Sequence, residues 1–197
     1  MTRRVGLLGG SFNPAHAGHR HVSLHALRRL RLDEVWWLVS PQNPLKPADG
    51  MAPLGERLAE AARIAAHPRI RPTAIETELG TRYTADTLKA LRNRFPGLRF
   101  IWLMGADNLV QMPRWRRWMA IFHTVPVAVF ARPSYSLRAL SGTAARHFAG
   151  FRIDGPGRGA LADRIPPAWA FLGIPPHPES STRIRAAGTA GKERKRR

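Results

Sequence analysis

Short apolar runs alternate along the chain with segments in which apolar side chains recur every three or four positions. The runs have the length of strands, and the second is nearly unbroken in apolar character, as in sheets buried on both faces. Predicted strands are residues 5–8, 34–39, 70–75, 99–104, 125–130 and 169–172. The segments between them have the periodicity of amphipathic helices. Predicted helices are residues 16–30, 54–66, 84–95, 115–122, 136–148 and 182–187.

This alternation predicts an α/β fold, a doubly wound, Rossmann-like, mostly parallel sheet with helices on both faces. We expect a single domain over residues 1–187 and a basic, disordered tail over residues 188–197, which has no apolar periodicity. Ligands in this architecture lie beyond the carboxyl ends of the strands. The loops expected to meet at one site follow Leu8, Val39, Met104, Phe130 and Leu172.

Composition narrows the class of protein. The chain has 197 residues, of which 44% are hydrophobic, and it has no cysteine. These values exclude a disordered chain and a disulfide scaffold. The longest apolar stretches fall well short of the roughly 20 residues that a membrane-spanning helix needs. The apolar run near the N-terminus is too short for a signal peptide. We therefore expect a cytoplasmic protein with no membrane partner.

The net charge raises the question of a nucleic-acid partner. Lysine and arginine number 32 against 13 acidic residues, a formal charge of +19, of which residues 192–197 supply +4. Such a balance is typical of nucleic-acid-binding proteins. The basic residues form no aromatic-interleaved repeat and no nucleic-acid-binding module, so this class is the less favoured alternative. A basic enzyme that attracts phosphorylated substrates fits the same charge.

The most informative segment is residues 9–19, Gly-Gly-Ser-Phe-Asn-Pro-Ala-His-Ala-Gly-His. The two glycines permit a tight turn and let backbone amides approach a ligand. The helix that follows offers free N–H groups and a positive dipole end to a phosphate. His16 and His19 share one face of its first turn, where they can donate hydrogen bonds and, as cations, oppose negative charge. Gly18 between them leaves room for the phosphate. A zinc site lacks a third ligand of clear spacing.

This segment resembles the N-terminal signature of the nucleotidyltransferases with an H-x-G-H motif. Residues 180–185, Ser-Ser-Thr-Arg-Ile-Arg, resemble the second signature of that superfamily. Within the superfamily the resemblance is strongest to bacterial nicotinate-nucleotide adenylyltransferases, and it extends from Val5 to about Ala187. Intermediate segments that agree are residues 41–46, 83–88, 105–109 and 129–133. One departure is Glu179, an acid placed where the family more often has an apolar or small polar residue.

The resemblance implies a reaction. Nicotinate mononucleotide and ATP give nicotinate adenine dinucleotide and pyrophosphate by in-line attack of the mononucleotide phosphate on the α-phosphorus. A phosphate monoester is largely dianionic at pH 7, so no general base is needed. Mg²⁺ is expected to arrive with ATP. The sequence leaves two oligomeric states as alternatives, a monomer and a homo-oligomer. The alternative is another adenylyl- or cytidylyltransferase of the superfamily, acting on nicotinamide mononucleotide or a phosphopantetheine.

The resemblance also implies which residues bind each substrate. The catalytic residues are expected to be His16, His19, Lys46 and Arg185. ATP is expected to contact Gly9, Gly10, Ser11, Phe12, His16, His19, Gly105, Asp107, Ser181, Thr182 and Arg185. The mononucleotide is expected to contact Asn43, Lys46, Tyr83, Thr84, Trp115 and Arg132. Thr84 and Trp115 each begin a predicted helix, and two positive helix ends would favour the nicotinate carboxylate over a neutral carboxamide.

Overall fold

The computed structural model describes residues 2–41 and 50–179. Within them the chain builds one six-stranded sheet of order β3-β2-β1-β4-β5-β6 in which every neighbouring pair is parallel. The strands are β1 Arg3–Gly10, β2 Glu34–Val39, β3 Ile70–Thr73, β4 Leu98–Gly105, β5 Val127–Phe130 and β6 Trp169–Leu172. The predicted parallel, doubly wound α/β fold is confirmed.

Helices cover both faces of the sheet. They are α1 Ala17–Arg29, α2 Leu54–Ala65, α3 Ile75–Glu78, α4 Thr84–Arg94, α5 Ala106–Gln111, α6 Trp118–Thr124, α7 Ser136–Leu140 and α8 Thr143–His147. Three 3₁₀ segments complete the described elements: Met112–Arg114, Ala149–Phe151 and Gly155–Asp163.

Side chains that alternate along each strand divide the core into two layers. In β4, Trp102 and Met104 pack in one cluster with Leu88 of α4. Ile101 and Leu103 of the same strand pack in the other cluster, together with residues of α1 and α2. Because both faces of the sheet are buried, the sequence of each strand is a nearly continuous apolar run.

Several predicted boundaries differ from the structure, and three of the differences have a clear physical reason. The third strand ends at Thr73, whose hydroxyl accepts the Ile75 N–H at 3.1 Å where α3 begins. The predicted helix over residues 136–148 is two short helices, divided at Gly142, the N-cap of α8. Glycine has one of the lowest helix propensities, which favours a break there. The predicted helix over residues 115–122 begins only at Trp118.

The predicted helix over residues 182–187 and the tail lie outside the described residues, so the predicted domain limits stay predictions. Among the residues that the structure describes, no helix is both long enough and apolar enough to cross a membrane.

Candidate nucleotide-binding site

The carboxyl ends of the strands bring together charged residues from distant parts of the sequence. His16 follows β1, Asp107 and Arg132 follow β4 and β5, and Glu179 follows β6. The positive charge of Arg132 and the negative charge of Glu179 both act on the His16 ring. Loops after four different strands therefore meet around the start of α1, as the parallel architecture predicts.

The two histidines cap α1 reciprocally. His16 is the N-cap residue, and its Nδ1 accepts a hydrogen bond from the Gly18 N–H at 3.1 Å. His19 Nδ1 accepts one from the His16 N–H at 3.2 Å, and the two ring centroids lie 3.8 Å apart. An Nδ1 that accepts carries no proton. In each neutral ring the proton therefore lies on Nε2, which becomes the donor.

His16 is a neutral imidazole at pH 7. The residue is 4% exposed. This burial and the positive charge of Arg132 lower the pKa of His16 to about 4, although the negative charge of Glu179 acts in the opposite direction. Of the two roles expected for this ring, hydrogen-bond donor and cation, a pKa of about 4 favours the donor at pH 7.

The lowered pKa predicts a loss of stability in acid. Unfolded His16 takes up a proton below its ordinary pKa of about 6.5, whereas the folded residue resists protonation down to about pH 4. Its stabilising contribution is thus complete above pH 6.5 and is lost as the pH falls from there toward 4. We expect the melting temperature of the native chain to fall more between pH 7.5 and pH 5 than that of His16→Asn.

Asparagine suits this comparison because it is a good N-cap that can still accept from the Gly18 N–H, and it does not titrate. Thermal unfolding followed by circular dichroism at each pH gives the measurement. Parallel pH dependences of the two melting temperatures would contradict the assignment.

Phe12 supports the histidines from within the core. Its ring lies 4.6 Å from that of His19 and stacks on Trp37 at 5.1 Å, and the residue is 1% exposed. The Trp37 indole donates to the Ser23 hydroxyl at 2.8 Å, and that hydroxyl donates to the His19 carbonyl at 2.9 Å. The Phe12 ring thus packs beneath the site, and only its main chain is left for the expected ATP contact.

Gly9 is required by the packing of a neighbouring strand. A Cβ at this position would overlap the edge of the Trp102 ring, whereas a Cβ at Gly10 would lie 3.4 Å from its nearest neighbour, Phe12 Cε2. The second distance is ordinary van der Waals contact. The two adjacent glycines of the motif therefore differ in how they tolerate a side chain.

We expect Gly9→Ala to destabilise the protein by about 1–3 kcal/mol, the usual range for overpacking a core. Gly10→Ala, the matched control, is expected to change the free energy of unfolding by about 0.5 kcal/mol or less. Urea denaturation of both variants measures the difference. If Gly9→Ala lost as little free energy of unfolding as Gly10→Ala, the Trp102 ring would have to move aside for the new Cβ at little cost.

Asp107 and Arg132 pair across the carboxyl edge of the sheet. Arg132 Nε lies 3.1 Å from Asp107 Oδ1, and a Cβ at Gly105 would overlap this carboxylate. Oδ1 is buried and makes no hydrogen bond, so the contact is an ion pair by distance alone. The expected ATP contact of Asp107 and mononucleotide contact of Arg132 thus involve two groups that already attract each other.

Arg57 is a site residue that the sequence analysis missed. It is 3% exposed, and its guanidinium donates to the carbonyls of Ser11 at 2.6 Å, Ser40 at 2.7 Å, Pro41 at 3.0 Å and Ala52 at 2.8 Å. It therefore ties the loop after β1 to the loop after β2. Arg57 lies four positions before Ala61 on the buried face of α2. This helical spacing is the sequence signal that predicts a buried side chain at position 57.

Asn13 holds the far end of the second loop. Its Nδ2 donates to the Gly50 carbonyl at 3.1 Å, and its Oδ1 accepts from the Ala52 N–H at 3.3 Å. The described residues that follow positions 42–49 are thus fixed to the loop that leads into α1. Asn43 and Lys46 lie between them, outside the described residues.

The helix start predicted at Thr84 is confirmed, and the nicotinate pocket expected there stays a prediction. Tyr83 is the N-cap residue and Thr84 is the first residue of the helix. The Arg116 guanidinium lies over the Tyr83 ring, 4.7 Å from its centroid, and Arg117 Nη1 donates to Asp86 Oδ1 at 2.9 Å. The positive end of α4 therefore faces two arginines from the segment that precedes α6.

The helix start predicted at Trp115 is wrong. Trp115 begins no helix: it ends the 3₁₀ segment Met112–Arg114 in an extended conformation, and the N-cap of α6 is Arg117. The partly buried Trp115 packs edge-on against Trp102, with the centroids 6.5 Å apart. One helix end, rather than two, is available to a carboxylate here.

Glu76 is a second residue that the sequence analysis missed. Its Oε1 lies 3.0 Å from the Thr87 hydroxyl, which is also 2.9 Å from the Thr81 hydroxyl. Burial raises the pKa of Glu76, while hydrogen bonds from Thr87 and Ser40 oppose that shift. The Glu76 side chain thus joins Ser40, directly after β2, to the first turn of α4. Nothing in the spacing of the sequence singles it out.

Glu179 lies against the first turn of α1. Its Oε2 accepts a hydrogen bond from the Ala17 N–H at 2.9 Å. A Cβ at Gly18 would lie 2.9 Å from the Glu179 main-chain oxygen and 2.8 Å from His16 Nδ1. The expected reason for glycine at position 18, room for a phosphate, is therefore incomplete, because His16 and Glu179 fill that space.

The remaining predicted ligands cannot be placed. Ser181, Thr182 and Arg185 follow Glu179 and lie outside the described residues. Within the described ranges 2–41 and 50–179, no group of three or more histidine or acidic side chains could hold a metal ion.

Most of the chain matches known proteins. The cytidylyltransferase-like family model matches residues 7–187. A Cereibacter sphaeroides protein named probable nicotinate-nucleotide adenylyltransferase is 60% identical over 184 residues, which cover 93% of this chain and 97% of that protein. A Parvibaculum lavamentivorans protein of the same name is 54% identical over 185 residues, covering 94% and 92% of the two chains.

Solved structures support the fold. Plasmodium falciparum nicotinic acid mononucleotide adenylyltransferase complexed with NaAD is similar with a TM-score of 0.69 and 16% identity, over 93% of this chain and 83% of that one. The same enzyme complexed with APC gives a TM-score of 0.67 and 15% identity over the same shares. At this identity the likeness concerns the fold alone.

Proposed function

The chain belongs to the cytidylyltransferase-like family and, within it, to the nicotinate-nucleotide adenylyltransferases, and from this premise we propose how its residues transfer the adenylyl group. The reaction joins ATP and nicotinate mononucleotide to give nicotinate adenine dinucleotide and pyrophosphate. The observation that carries the assignment of roles is the reciprocal cap of His16 and His19 at the start of α1. It fixes the donor atom of both rings at the point where a helix favours phosphate.

The ATP phosphates lie at the first turn of α1 in this proposal. The Nε2–H groups of His16 and His19 donate to phosphate oxygens, and the main chain of residues 9–12 lines the nucleotide. These donors are held by the fold before the substrate arrives, so they stabilise the charge on the transferring phosphorus without reorganisation. Ser181, Thr182 and Arg185 complete the contacts to the leaving pyrophosphate. Mg²⁺ enters as part of the ATP substrate and keeps mostly water ligands.

The mononucleotide lies between the start of α4 and the loop after β5. Its phosphate meets Arg132, with Asn43 and Lys46 from the loop after β2, in line with the α-phosphorus of ATP. Asp107 contacts a ribose hydroxyl of ATP when Arg132 turns to the mononucleotide phosphate. The pyridine ring lies against Trp115 and Tyr83. Its carboxylate faces the amides at Thr84, where the helix end and the Arg116 guanidinium over Tyr83 provide positive potential, while Arg117 is paired with Asp86.

The experiment compares mononucleotides at saturating ATP and follows pyrophosphate release. A partly buried helix end contributes up to about 2 kcal/mol to a bound anion. One such end therefore predicts a kcat/KM for nicotinate mononucleotide roughly tenfold above that for nicotinamide mononucleotide. Equal values would indicate dual specificity. Activity with 4′-phosphopantetheine and with neither pyridine nucleotide would refute the proposal.

A further inference from the structure

A carboxylate of the chain itself occupies the anion-binding end of α1. The Ala17 N–H, the first amide of the helix, donates to Glu179 Oε2 at 2.9 Å. The main-chain oxygen of Glu179 lies against Gly18, at the position where a Cβ of that glycine would be in contact. Both the side chain and the backbone of Glu179 are therefore seated on the turn that the proposed function assigns to phosphate.

The segment that carries Glu179 is attached to α1 at a second point. His21 Nε2 lies 2.8 Å from the Pro175 carbonyl, and the His21 and His177 ring centroids are 5.2 Å apart. The Glu179 N–H in turn donates to His177 Nδ1 at 3.2 Å. These contacts lie one helical turn beyond Ala17. The Glu179 side chain can therefore leave the first turn while its segment stays attached to the helix.

A carboxylate and a phosphate oxygen are equivalent ligands for this turn. Both are anions that accept from backbone N–H groups, and a helix N-terminus stabilises either of them within its first turn. The Ala17 N–H has one proton and cannot serve both fully. A phosphate beside Glu179 would also experience like-charge repulsion. Glu179 and a bound triphosphate thus exclude each other at this amide.

We propose that Glu179 competes with the triphosphate for the start of α1, holding the site in its nucleotide-free form and leaving it when ATP binds. The proposal rests on the proposed function, because it takes the ATP phosphates to lie at this turn. The apparent dissociation constant is the intrinsic one divided by the fraction of molecules with the turn open. Glu179 therefore weakens binding of ATP, and it weakens retention of pyrophosphate after transfer in the same way.

The test measures equilibrium binding of ATP, and separately of pyrophosphate, to the full-length chain by isothermal titration calorimetry with Mg²⁺ and without mononucleotide. Glu179→Gln keeps the shape and an accepting oxygen but removes the charge. We expect its dissociation constants for ATP and for pyrophosphate to be roughly 3- to 10-fold lower than those of the unaltered chain. Binding of nicotinate mononucleotide alone is expected to be unchanged.

Glu56→Gln is the matched control. Glu56 is an exposed acid in the first turn of α2, so the variant makes the same change of charge at the start of another helix. Its dissociation constant for ATP is expected to stay within about twofold of the unaltered value. A gain of equal size in both variants would show that only net charge matters and would overturn the proposal.

Two further results would overturn it. Unchanged ATP binding in Glu179→Gln would mean that the carboxylate does not compete, and weaker binding would mean that it assists the Mg²⁺–triphosphate instead. The side-chain oxygen of Glu179→Gln can still accept from the Ala17 N–H. Glu179→Ala removes that acceptor, and its dissociation constants for ATP and pyrophosphate are measured by the same titrations. None of these titrations needs turnover, so a failure of the proposed function appears separately, as absence of pyrophosphate release by the unaltered enzyme.

Discussion

His19→Asn is expected to lower kcat by about 10²–10³-fold while the protein stays folded. In the native protein the His16 N–H donates to His19 Nδ1 at 3.2 Å. Asparagine places its side-chain oxygen near the position of this Nδ1, so it can still accept that hydrogen bond. It has no atom at the position of Nε2, the donor that we assign to the ATP phosphates. Removing one preorganised donor to a developing negative charge costs about this factor.

His67→Asn is the control for this substitution. His67 Nδ1 accepts from the Arg69 N–H at 3.2 Å, a cap of the same kind between α2 and β3, away from the carboxyl ends of the strands. We expect this variant to keep full turnover. Steady-state rates of pyrophosphate release and melting temperatures are measured for both. Normal turnover in His19→Asn would remove His19 from the catalytic residues, and a collapse of its melting temperature would show a structural role.

The sequence predicted the sheet because its signals are local. Each apolar run had the length and character of a strand buried on both faces, and the two histidines marked the start of α1 correctly. The turn expected at Gly9 and Gly10 is wrong, because both residues pair with β2 as the last two residues of β1. Parallel connections then placed the loops at one edge. Errors arose where tertiary contacts outweigh local preference. Trp115 packs on Trp102, and the chain must turn once more at Arg117, in a left-handed conformation, before α6 begins.

The charged residues of the site were harder to predict than the motifs. The role of His16 as a neutral donor depends on burial and on Arg132, a residue more than a hundred positions away. The Asp107–Arg132 pair and the Glu179 contact likewise join loops that only the sheet brings together. A motif identifies the residue types that a reaction needs. It does not say which of them pair with each other before the substrate arrives.

Arg57 illustrates a positioning residue that no motif includes. Its four acceptors are main-chain carbonyls from three loop segments, and the guanidinium is buried with them. Burial also lowers the pKa of Arg57. A carbonyl that is buried and loses its donor retains the full penalty of desolvation, so the loss of such a group is more costly than its net contribution suggests.

Arg57→Met is therefore expected to lower the free energy of unfolding by about 3 kcal/mol or more. For a chain of this size such a loss lowers the melting temperature by roughly 6–12 °C. Methionine keeps much of the apolar stem, so the effect isolates the guanidinium. Because Ser11 and Ser40 lie in the loops that flank the site, we also expect a higher KM for both substrates at a temperature where the variant is folded.

Arg63→Met provides the comparison on the same helix. Arg63 is exposed, and its partner is Glu60, at 2.7 Å and three positions away. Surface pairs of this kind contribute little, so the variant is expected to change the free energy of unfolding by about 0.5 kcal/mol or less. The free energy of unfolding is measured for both variants by urea denaturation, and KM is measured for both substrates. Because both variants lose one positive charge from α2, a difference between them reports the anchoring of the loops by Arg57. If Arg57→Met were no less stable than Arg63→Met, the loops after β1 and β2 would hold their positions without the guanidinium.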